Sequence, residues 1–75
     1  HLAFHETYGM PPMQYMKQQR LNGAHFALLQ AGAKATVSQI AMNWGFLQLG
    51  RFAVDYHAQF GETPSETLLR RKRTA

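Results

Sequence analysis

Seventy-five residues, 45% of them hydrophobic and including five Phe, three Tyr and one Trp, suffice for one small core, because a chain of this size hides only about 60% of its unfolded surface. The absence of cysteine excludes a disulfide framework and a thiolate zinc site and fits a reducing, cytoplasmic setting; no apolar run approaches the roughly 20 residues of a membrane span, and the first residues lack the layout of a signal peptide. The net charge of +4 and pI near 10.0 invite a nucleic-acid partner, but Arg70, Arg71, Lys72 and Arg73 supply half of the eight basic residues, and Lys17, Arg20, Lys34 and Arg51 merely balance Glu6, Asp55, Glu62 and Glu66, so summed charge leaves the partner open.

The chain begins with one copy of an internal repeat. Phe4-His5, Tyr8-Gly9, Pro12 and Met16 return as Tyr56-His57, Phe60-Gly61, Pro64 and Leu68, each partner 52 positions further on. In both copies a helix is expected to end at Gly, which suits a left-handed cap, and the next to begin at Pro, which suits a first helical turn. Val37 to Arg51 precedes the second copy and nothing precedes the first. Residues 1–9 therefore read as the end of a first unit whose front is missing; a chance match between two Gly-Pro-punctuated stretches is the competing reading.

From Pro12 to about Leu29, the spacing of Met16, Leu21, Ala24 and Leu28 predicts one long helix. Asn22-Gly23 is a hairpin signal inside it, and Gly costs about 1 kcal/mol in a helix interior. No alternating pattern flanks the pair, so the helix is retained. Gln30 to Ala35, containing Gly32, forms the loop, and residues 10–35 make up a connecting segment.

Residues 36–61 carry two short helices. Thr36-Val37-Ser38-Gln39 has the form of a capping box, and Val37, Ile40, Ala41 and Trp44 follow it at i, i+3, i+4 and i+7, the stripe of a helix packed on one face. Gly45-Phe46-Leu47 breaks the period, and a second stripe runs through Leu49, Phe52, Ala53, Tyr56 and Phe60. Two helices meeting across a tight Gly-containing turn form a helix-turn-helix. A second capping box, Thr63-Pro64-Ser65-Glu66, opens a C-terminal helix in residues 62–75, which ends in the basic run.

These residues resemble the second unit of the AraC/XylS transcription regulators: Val37, Ile40-Ala41, Gly45-Phe46, Phe52 and Phe60-Gly61 with Pro64 match the family pattern at every spacing. Tyr15-Met16, Arg20-Leu21, Ala24 and Leu28-Leu29 are similar to its connecting helix, so the resemblance covers nearly the whole chain. Gln39 stands where an acid is usual, and Gly50-Arg51 where Ser and an aromatic are common. The resemblance implies an all-α, homeodomain-like fold with one complete helix-turn-helix and the end of a first, joined by the long helix. It also implies binding of double-stranded DNA by a bacterial regulator, with the helix that starts near Gln48 in a major groove and RNA polymerase as a partner of the full-length protein. No cofactor, membrane or small molecule is expected for this portion. A connecting helix of about 18 residues measures roughly 27 Å, comparable with the ~34 Å turn of DNA separating two major-groove faces.

Periodicity independently turns Gly50, Arg51, Val54, Asp55 and His57 outward when Phe52, Ala53 and Tyr56 face the core. The expected base contacts are Leu49, Gly50, Arg51 and Val54. Arg51 has a planar fork that can bond O6 and N7 of guanine together, worth about 1–3 kcal/mol of discrimination; alternatively it pairs with Asp55 one turn on as a surface bridge, and both can hold. Gly50 either lets the backbone approach DNA or is neutral drift. Leu49 and Val54 can touch thymine methyls, although Leu49 also belongs to the apolar stripe. Gln48, His57, Arg70 and Arg71 are candidate phosphate contacts, against the plain reading of solvated polar groups and a solvated chain end.

Other chemistry finds little support in the sequence. His1 and His5 lie one turn apart, but Glu6 is on another face, so a metal-ligand set is hard to assemble. Ser38 and Ser65 are explained by their capping boxes, and Asp55 and His57 diverge, which leaves no nucleophile with an oriented base. Met10, Met13, Met16 and Met42 read either as core or as an adaptable docking surface. The rival to DNA binding is a helical protein-interaction module on the same fold.

Overall fold

A computed structural model describes residues 12–74 of the chain. Four helices occupy them: α1 (Pro12–Leu29), α2 (Val37–Asn43), α3 (Leu49–Phe60) and α4 (Pro64–Thr74). The first copy of the repeat up to Gly9, and the His1/His5 pair, lie outside the described residues.

α1 is continuous through Asn22-Gly23, and the reason is tertiary. The indole of Trp44 lies against the bare backbone of Gly23: a Cβ built there would sit 2.4 Å from Trp44 Cζ3. Glycine is the residue that admits the ring. Trp44 itself departs from its expected place on the packed stripe of α2. It is the residue that ends α2 and stays 40% exposed, with its ring over α1.

Leu21, Ala24 and Leu28 of α1 are buried as their spacing predicts, and they meet Ile40 and Ala41 of α2, Phe52 and Tyr56 of α3, and Leu68 of α4. Met16 is not part of this core; it is exposed. Thr67 is a fully buried polar residue.

The caps behave as their chemistry dictates. Thr63 Oγ1 accepts from Glu66 N at 3.1 Å while Glu66 Oε1 accepts from Thr63 N at 2.8 Å, a complete reciprocal box. At α2 only half forms: Thr36 Oγ1 accepts from Gln39 N at 3.2 Å, and among the described residues the exposed Gln39 side chain makes no return bond. A neutral amide competes less well with water for that backbone N–H than the Glu66 carboxylate does.

Candidate nucleic-acid interface

The turn between α2 and α3 fixes how α3 is presented. Gly45 adopts φ 87°, and around it Phe46 N donates to Ala41 O at 2.9 Å while Gly45 N donates to Met42 O at 3.0 Å, the pair of bonds that defines a Schellman cap. The left-handed residue reverses the chain and throws Phe46 inward, where its ring centroid lies 4.7 Å from that of Phe52. Phe52 in turn stands 5.6 Å from Tyr56, and Tyr56 4.6 Å from Phe60. One aromatic row thus anchors the inner face of α3 to the turn that precedes it. Gly61, at φ 77° and donating to His57 O at 2.9 Å, closes the helix where the repeat places its glycine.

The outer face carries the residues singled out from the sequence. Gln48, Leu49, Gly50, Arg51, Val54 and His57 are all exposed; Leu49 is therefore rim rather than core. Nothing lies within 4 Å of a Cβ built on Gly50. Gln48 precedes α3 without a side-chain cap, and no acid stands in the first turn, so the N–H groups that open the helix are not satisfied by that side chain.

Asp55, expected to face outward, does not. It turns toward α1, where its Oδ2 lies 3.4 Å from Lys17 Nζ and its Oδ1 3.4 Å from Arg51 Nε. Arg51 consequently realises its ion pair and still leaves 69% of its side chain exposed. Between α1 and the start of α3 runs an open groove of about 540 Å³, lined by Lys17, Arg20, Gln48, Arg51 and Asp55 together with apolar side chains including Met13 and Leu47. Sequence alone marks Lys17 and Arg20 only as balancing charges or as connecting-helix residues. Their i, i+3 spacing on a long helix is the signal that they share a face.

Arg70 and Arg71, expected as phosphate contacts in or near a loose tail, lie within α4. Arg70 is engaged with Glu62 through two bonds, Nη1 to Oε1 at 2.6 Å and Nη2 to Oε2 at 2.9 Å. Glu62 Oε2 also accepts the hydroxyl of Thr67, Thr67 Oγ1 accepts from Tyr56 Oη at 2.8 Å, and His25 Nδ1 lies 2.7 Å from the same Tyr56 Oη. His25 stacks on Phe60 with ring centroids 4.1 Å apart. This chain of bonds ties α1, α3 and α4 together through the buried phenol, whose pKa burial raises. The Arg70 hydrogen bonds, followed by that from Thr67, hold the Glu62 carboxyl well below its ordinary value of 4.5, at about 2. The unfolded chain therefore takes up this proton first. The stabilisation is fully present above about pH 4.5 and is lost as pH falls through about 2. Urea midpoints between pH 5 and pH 2 should fall for the parent and fall less for Arg70→Gln; parallel slopes would deny Glu62 this role.

Among the described residues no group of three His, Asp or Glu side chains is placed to hold a metal ion, and no helix is long and apolar enough to cross a membrane.

A family model described as a helix-turn-helix domain matches residues 1–70. A probable thc operon regulatory protein of Rhodococcus erythropolis is 43% identical over 68 residues, which are 89% of this chain and 20% of that protein. A XylDLEGF operon transcriptional activator of Pseudomonas putida is 38% identical over 66 residues, 87% of this chain and 21% of its own length. The chain thus spans about a fifth of these relatives. The crystal structure of a probable AraC family transcriptional regulator from Rhodopseudomonas palustris CGA009 superposes with a TM-score of 0.83 at 44% identity, covering 93% of this chain and 65% of that one. With the Schellman turn, the aromatic anchor of α3 and these relatives in agreement, the chain belongs to the AraC/XylS family of DNA-binding helix-turn-helix transcription regulators.

Proposed function

We propose that this chain binds duplex DNA as part of a bacterial transcription regulator, with the N-terminal half of α3 entering a major groove. The observation that carries the reading is the two-sidedness of α3: Phe52 and Tyr56 are locked in the core while Leu49, Gly50, Arg51 and Val54 stand exposed on the opposite side. Arg51 is the base reader in this proposal. Its pair with Asp55 restrains the guanidinium before DNA arrives, which lowers the ordering cost of a bidentate contact to guanine. Gly50 lets the backbone come close, and Leu49 and Val54 offer apolar contact to thymine methyls. Gln48, His57 and Arg71 are the phosphate contacts. Arg70 reaches a phosphate only by sharing its guanidinium with Glu62, so its main role is to hold α4 onto the end of α3. RNA polymerase is proposed as a partner of the full-length regulator on family membership alone.

Arg51→Ala tests the reading. Against a panel of duplexes selected by the parent chain, the variant should lose about 1–3 kcal/mol of discrimination at the position read as guanine while keeping its weak binding to random duplex. Unchanged site preference would remove Arg51 from the reading set.

A further inference from the structure

The body of the chain is formally neutral by sequence, but its charges are not spread evenly in space. Three of its four cations outside the α4 run, Lys17, Arg20 and Arg51, line the same groove, where the one carboxylate is Asp55. Of the other acids among the described residues, Glu62 is taken by Arg70 and Glu66 by the cap of α4. Asp55 is shared by Lys17 and Arg51. Arg20 makes no hydrogen bond or ion pair among the described residues, and its side chain runs alongside the turn, with Cδ and Nε each 3.9 Å from a Cβ position on Gly45. Among the described residues the groove therefore carries a surplus of positive charge and an exposed guanidinium without a partner, next to Gln48 and Arg51 at the entrance to α3.

We infer that Lys17 and Arg20 of α1 hold the phosphate backbone flanking the major groove that α3 enters, which makes the connecting helix itself part of the DNA-binding surface. The inference rests on the proposed role of α3 and extends it to a second element. Its chemistry is charge complementarity: a strand passing over the groove brings anionic phosphates to the two cations and apolar sugar edges to Met13 and Leu47, each 84% exposed at the rim. Such contacts fix the register of the protein on the duplex and carry no sequence information themselves. Lys17 then exchanges part of its pairing with Asp55 for phosphate, and Asp55 stays matched to Arg51.

The test is a fluorescence-anisotropy titration of the 75-residue chain with a random-sequence duplex of about 20 base pairs, at salt from about 50 to 200 mM. Each phosphate contact contributes about 0.9 to the slope of log affinity against log salt, so over this fourfold range one lost contact makes the fall in affinity about 3.5-fold smaller. Arg20→Gln should show that loss, and Lys17→Gln with Arg20→Gln about twice the change in slope. Lys34→Gln, which removes the same charge from the exposed loop between α1 and α2, should keep the parental slope and so controls for net charge. Circular-dichroism melts confirm that all three variants fold. If Arg20→Gln and Lys34→Gln give the same slope while the parent binds, the role of α1 is wrong and that of α3 survives. If the folded parent shows no salt-dependent binding to any duplex, both fall together.

Discussion

Phe52→Ala should remove a large part of the stability of the fold. The side chain is 1% exposed and stands in the aromatic row between Phe46 and Tyr56, so truncation removes the contacts of both the turn and α3. Phe-to-Ala changes in packed cores cost about 3–5 kcal/mol. A 75-residue domain has roughly 4–11 kcal/mol to lose, so one side chain accounts for about a quarter of the total or more. Urea denaturation followed by far-ultraviolet circular dichroism measures the loss, and a change below about 1 kcal/mol would mean that the row does not anchor α3. Phe52→Leu, which keeps most of the buried volume, should retain the fold.

Gly23→Val should also destabilise, although position 23 lies inside an α-helix where nearly any residue other than proline improves on glycine. The helix gain from the substitution is below about 1 kcal/mol. Against it, the first added carbon would overlap Trp44 Cζ3 at 2.4 Å, Cη2 at 2.5 Å and Cε3 at 2.6 Å. Ordinary carbon contacts need about 3.5 Å or more. The indole is rigid and must leave as a whole, so the overpacking cost of roughly 3 kcal/mol wins. The sign reverses once the ring is gone: in a Trp44→Ala background, Gly23→Ala should stabilise by about 1 kcal/mol, the ordinary helix value. Finding Gly23→Ala equally stabilising with Trp44 present would show that the ring gives way freely.

The parts of this structure legible in the sequence are those in which a local rule decides the outcome. The bounds of α1, the Gly45 and Gly61 turns and the Thr63–Glu66 box each depend on a few neighbouring residues, as does the alternation along α3 that buries Phe52 and Tyr56. The outward placing of Gly50, Arg51, Val54 and His57 on α3 follows from the same periodicity. What escaped was set by partners distant in sequence. Trp44 leaves its stripe because Gly23, on a different helix, offers a socket. Asp55 turns inward because Lys17 and Arg51 flank it, and the basic run of α4 loses Arg70 to Glu62. The formal neutrality of the body was correct as a sum but uninformative as a field, because Glu62 and Glu66, which count in the total, are engaged at the start of α4 and not beside Lys17, Arg20 and Arg51.

The hydrogen-bonded chain beneath α3 also dictates where His25 carries its proton. The single hydroxyl proton of Thr67 goes to an acceptor, the Glu62 carboxylate, with the Thr63 carbonyl at 3.3 Å as the alternative, so the oxygen of Thr67 receives the proton of the Tyr56 phenol. With its own proton committed, the phenol oxygen can only accept from the imidazole, 2.7 Å away. His25 must therefore carry a proton on Nδ1, and when neutral it is the Nδ1–H tautomer, with Nε2 left as the basic nitrogen. A carboxylate on the loop before α4 thus selects, through two hydroxyls, the tautomer of a ring on α1.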